Sequence, residues 1–94
     1  MSMEKKCNAK IKYSFLGIDE SGSVVIQLGF DCEWGTVHSD KIDVVDAGFI
    51  KDILSTLELQ RWEDLPRKFA RIKLNEAKQV VAIGNLIEER WVKL

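Results

Sequence analysis

The residues that come nearest to a metal site are Cys32, Glu33, His38 and Asp40, a set that mixes one soft donor with hard ones. Such a site needs several donors converging on one point, yet the chain holds a single histidine and no Cys-x-x-Cys pair. Cys32 also falls on the apolar side of an alternating segment, with Glu33 opposite, so the two converge only across a bulge. Nucleophilic catalysis by Cys32 with His38 fares no better, because Asp31 and Glu33 flank the thiol and oppose the thiolate it would need. None of the six glycines stands in a phosphate-cradling spacing ahead of a helix. No catalytic residue, metal ligand or cofactor is therefore expected, and the chain reads as non-enzymatic.

Binding surfaces have more support than chemistry. The net charge of -1 hides a segregation: residues 1–18 carry four lysines against one glutamate, and residues 65–94 carry seven bases against three acids. Between them, residues 19–64 hold eleven acids against three bases. Within the acidic block, Asp31, Glu33, Trp34, Asp40 and Asp43 are the candidate contacts for a protein with a basic groove, since such charges steer association and fix register. The plainer reading is ordinary solubilising charge. Within the basic block, Arg67, Lys68, Phe69, Arg71 and Lys73 lie on or beside one strand. There a base would stack on Phe69 while the cations meet phosphates. The plainer reading there is a solvated strand with Phe69 tucked under the chain end. Of the three tryptophans, Trp62 is expected in the core, Trp91 half-buried near the end, and Trp34 facing a partner or a second copy.

These residues must be positioned by the elements around them. Ala9, Ile11, Tyr13 and Phe15 alternate with Lys10, Lys12 and Ser14, the period of a strand with one wet face, and a bulge is expected at Gly17. Asp19 to Gly22 supply a turn, and the alternation from Val24 to Trp34 predicts a second, antiparallel strand. Residues 36–45 read as a polar loop or a short edge strand. Asp46 can cap a helix over 47–57, whose Phe49, Ile50, Ile53, Leu54 and Leu57 share one face, and Pro66 ends any turn begun at Trp62. Residues 69–74 and 80–83 read as a second hairpin and 90–94 as a closing strand. The expected fold is a single α+β domain over residues 1–94, in two layers, with one helix packed on a mostly antiparallel sheet of four to five strands.

The stretch from Phe49 to Lys68 with its Trp62-Glu63-Asp64-Leu65-Pro66 core, then Arg71-Ile72-Lys73, Val81-Ala82-Ile83-Gly84-Asn85 and Trp91, resembles the C-terminal half of a group of small phage and prophage proteins. The resemblance covers roughly residues 47–92. Members of that group carry a glycine where Arg67 stands, and a glycine-rich segment before the helix where this chain has Gly29 and Gly35. The resemblance implies provenance in a mobile genome. By association it implies binding to a host protein such as a component of a bacterial defence system, in the manner of an anti-CRISPR inhibitor.

The remaining expectations follow from composition. No apolar run approaches the roughly 18 residues of a membrane span, and the segment from Met1 to Asn8 lacks the apolar core of a signal peptide, so the host bacterial cytoplasm is the expected compartment. Cys7 and Cys32 are too few for a disulfide framework and are expected as reduced thiols. The main expectation is an accessory protein that binds a host protein; the alternative is a nucleic-acid-binding accessory protein using the basic C-terminal hairpin. An exposed edge at 36–42 or 90–94 would also permit a homodimer.

Overall fold

The first half of the chain forms one long hairpin because its apolar residues alternate with polar ones. In the computed structural model, which describes residues 5–94, β1 (Lys5–Ile18) pairs antiparallel with β2 (Val24–Cys32) across the Asp19 turn. The Asp19 carboxylate accepts from the Ser21 and Ser23 amides at 2.9 and 3.1 Å, and Gly22 takes a φ of 88°. The expectation for the N-terminal residues Met1 to Glu4 lies outside the described residues.

The bulge expected at Gly17 is instead between Ile11 and Tyr13, and Gly17 pairs regularly with Val25. An inserted residue reverses which parity of the strand faces inward. Ala9 and Ile11 are buried, whereas Tyr13 and Phe15, expected on the same side, emerge on the opposite face beyond the bulge. That reversal places two of the aromatic residues of the surface described below.

Two short strands, β3 (Gly35–His38) and β4 (Ile42–Asp43), both pair with β2 along its free edge. Next comes α1 (Ala47–Thr56), capped by Asp46, whose side chain accepts from the Gly48 amide at 2.7 Å. Such a cap is worth about 1 kcal/mol. A single 3₁₀ turn (Trp62–Asp64) leads into β5 (Phe69–Leu74), β6 (Val80–Gly84) and β7 (Trp91–Lys93). The sheet order is β3-β2-β1-β5-β6-β7, all neighbours antiparallel, so the long β1 joins the two hairpin systems.

This architecture corrects the two-layer α+β expectation of four to five strands. Seven strands hold 48% of the described residues and helix only 14%, which makes the fold mainly β. The difference arises because β1 starts at Lys5 and because the polar segment after β2 adds strands rather than a loop. Backbone groups lying beside an open edge are satisfied by joining it.

Leu28, Phe30, Ile72 and Ile83 point to the inner side of the sheet, where Ile53 of α1, Leu57 at its C-cap and Leu65 of the connection meet them. All seven are essentially inaccessible to solvent. Two polar ties hold the sheet curled around this core. Gln79 Nε2 donates to Asp40 Oδ1 at 2.7 Å, and buried Asn85 Nδ2 donates to the Thr56 carbonyl at 2.8 Å. Trp62 packs against the core, Trp91 is half-buried, and Trp34 lies half-exposed in the β2–β3 turn. Among the described residues no helix is long and apolar enough to cross a membrane.

Candidate functional site

The outer face of the sheet, opposite the helix, has no layer upon it among the described residues. Alternation on β1 and β5 sends Lys6, Asn8 and Lys10 outward beside Lys73, Arg71 and Phe69, in the direct pairs Lys6 with Lys73, Asn8 with Arg71 and Lys10 with Phe69. The same rows continue through Ala82 and Gly84 of β6 to Lys93 and Trp91 of β7. Register thus collects basic residues from the two ends of the chain onto one surface.

Trp91 is the centre of this cluster. Its ring lies flat on Gly84, where a Cβ would come within 2.6 Å of the indole. The ammonium of Lys73 sits 4.4 Å from a ring centroid of Trp91, that of Lys6 5.8 Å, and the Arg71 guanidinium 4.8 Å. Attraction to the ring quadrupole holds each cation for about 0.5–1 kcal/mol at such exposed sites. Lys10 stands similarly 5.9 Å from Phe69, which is 55% exposed rather than tucked beneath the chain end.

Arg71 differs from the lysines because its guanidinium is already committed. Nε donates to the Asn85 carbonyl at 2.8 Å, Nη2 to the Glu88 carbonyl at 2.9 Å, and Nη1 pairs with Glu89 Oε1 at 2.8 Å. The hydrogen bond from Arg71, followed by that from Trp91 Nε1, holds the Glu89 carboxyl below the usual carboxylate range. Arg71 therefore fixes the loop that presents Trp91. Among the described residues, Lys6, Lys10 and Lys73 have no carboxylate within ion-pair distance.

Beyond the bulge the same face turns aromatic. Tyr13 lies across Gly29, filling the space a side chain there would need, and Phe15 folds over Gly17 with Cζ 2.7 Å from a Cβ placed on that glycine. Both rings remain more than a third exposed. Lys6, Lys10, Tyr13, Phe15 and Trp91 were not among the site residues expected from sequence. Glycines inside strands at Gly29 and Gly84 were the available signal, since such positions mark a close approach.

The other expected site residues are dispersed. Arg67 and Lys68 precede β5, where the Arg67 amide donates to the Ile11 carbonyl at 2.7 Å and Ile11 donates back to Lys68 at 2.8 Å. In the acidic set, Asp31 is on the outer face across from Lys10 and accepts from Thr36 Oγ1 at 2.9 Å. Glu33 and Trp34 occupy the β2–β3 turn, Asp40 is tied to Gln79, and Asp43 pairs with Val25 in β4. The five are strung along one edge rather than gathered. Cys32 faces inward and donates to the Gly35 carbonyl at 3.4 Å, while His38 Nδ1 donates to the Ser39 carbonyl at 3.1 Å. Among the described residues no three His, Cys, Asp or Glu side chains are placed to hold a metal ion. Burial, reinforced by Cys32 alongside, pushes the Cys7 thiol up to about 11, which keeps it neutral.

Comparison of the chain with protein-family models, with curated proteins and with solved structures gives no match.

Proposed function

We propose that this chain is a non-catalytic nucleic-acid-binding protein whose contact surface is the outer sheet face, acting in the host bacterial cytoplasm as an accessory protein of the phage type. The observation that carries the reading is the Lys6 and Lys73 pair. Like charges directly opposite on neighbouring strands oppose folding, and these two converge on one ring with no carboxylate within ion-pair distance of either among the described residues; Glu89, bonded to the same ring and to Arg71, offsets them only at longer range. A phosphate backbone supplies negative charge at direct contact with these lysines, and Lys10 beside exposed Phe69 extends the same surface. The net charge of -1 is compatible with this, because the acids lie mainly on the β2–β3–β4 edge and in the helical segment. The test is fluorescence anisotropy of labelled 12-nucleotide oligomers at low salt. Micromolar or tighter binding that Lys73→Glu weakens is expected, and no binding at that concentration removes the reading.

A second reading, a host protein of a defence system bound through Asp31, Glu33, Trp34, Asp40 and Asp43, is favoured by one observation. Trp34 is 51% exposed at the tip of the acidic edge, with Lys5 5.6 Å from its ring. Reversal of Asp40 and Asp43 to lysine should then abolish recovery of that partner from host lysate, and unchanged recovery counts against it.

A further inference from the structure

We infer that the outer face takes unpaired rather than duplex nucleic acid, and that Tyr13 and Phe15 are the platforms on which two successive bases stack. This rests on the nucleic-acid reading of the same face and specifies its ligand. The geometry points to stacking because a strand glycine lets each ring approach the sheet closely, Tyr13 by one ring edge over Gly29 and Phe15 by its Cζ tip over Gly17, while both rings stay accessible. Tyr13 is 37% and Phe15 44% exposed, and among the described residues no cation covers either ring. Trp91 is different: it sits on Gly84 but holds Lys6, Lys73 and Arg71 about it, so it organises cations instead of receiving a base.

The order along the surface is what a single strand requires. Lys6, Lys10, Tyr13 and Phe15 all belong to β1, so cations come first and open rings follow along one line. Residues two apart on a strand are separated by on the order of 7 Å, which gives each ring room for its own base. In a duplex the bases are already stacked on one another and offer no free face to these rings, whereas an unpaired strand offers one base per platform.

The experiment compares four 12-mers at equal salt by anisotropy: oligo-dT, oligo-rU, an abasic strand with the same number of phosphates, and a duplex. Oligo-dT or oligo-rU should bind at least tenfold tighter than the abasic strand, with the dT and rU arms showing whether DNA or RNA is preferred. Tyr13→Ala and Phe15→Ala should each cost about fivefold or more in that preference while leaving affinity for the abasic strand unchanged. The variants Tyr13→Phe and Phe15→Tyr keep a ring and should keep the preference, which separates stacking from a folding defect. Equal affinity for abasic and base-bearing strands, or tighter binding of the duplex, overturns the stacking assignment while leaving phosphate binding intact. Absence of binding to every 12-mer overturns the assignment and the parent reading together.

Discussion

Lys6 and Lys73 stand directly opposite each other across β1 and β5, and both ammonium groups converge on the Trp91 ring, at 5.8 and 4.4 Å. A sheet selected for stability alone would place unlike charges in such a pair. Lys6→Glu creates that unlike pair. It should raise the urea midpoint by the equivalent of about 0.2–1 kcal/mol while weakening oligonucleotide binding. A variant that loses stability and keeps its affinity would show that the pair serves the fold and not the ligand.

Arg71 should behave as a structural residue despite its place on the basic surface. Replacing it with alanine strands the carbonyls of Asn85 and Glu88 and releases Glu89, at a cost of about 1–3 kcal/mol. Lysine cannot reproduce three bonds from one planar group, so Arg71→Lys should recover little of the loss. Chemical denaturation of both variants decides this, and a full rescue by lysine would contradict it.

The Glu89 tie gives the loop a pH dependence whose direction is determined by the lowered carboxyl. A group held below its unfolded value contributes stability above that value, about 4.3 for glutamate, and loses it as the pH falls through the folded value. Trp91 fluorescence should therefore change on acidification below about pH 4, before global unfolding. The early change should vanish in Glu89→Gln. Persistence of the change in that variant would assign it to other carboxylates.

Arg67 adopts a φ of 77°, the left-handed region that favours glycine. Arg67→Gly should raise stability by up to about 1 kcal/mol, less the added freedom of the unfolded chain. A thermal scan measures it, and a lower midpoint would mean that the arginine side chain contributes contacts that outweigh the strain.

Local signals in the sequence were sufficient for several elements. Alternation from Val24 to Cys32 and the Asp46 cap before an apolar helical face marked β2 and α1. The same alternation misplaced Tyr13 and Phe15, because a bulge between Ile11 and Tyr13 involves an ordinary residue where Gly17 had offered the obvious break. Strands as short as Gly35–His38 and Ile42–Asp43 have too few residues to show a period. At the site, Phe69 and Lys73 followed from strand period, whereas Lys6 and Trp91 joined them through pairings between distant segments. Arg71 looked like a ligand contact because its partners lie 14 and 17 residues away in a loop with no pattern of its own.

If Lys6 and Lys73 contact phosphates, the salt dependence of oligo-dT binding reports it. Each phosphate contact on a single strand contributes about -0.7 to the slope of log affinity against log salt. The double variant Lys6→Gln with Lys73→Gln should therefore flatten the slope by about 1.4 relative to the unaltered chain. An identical slope in the two proteins would contradict the account.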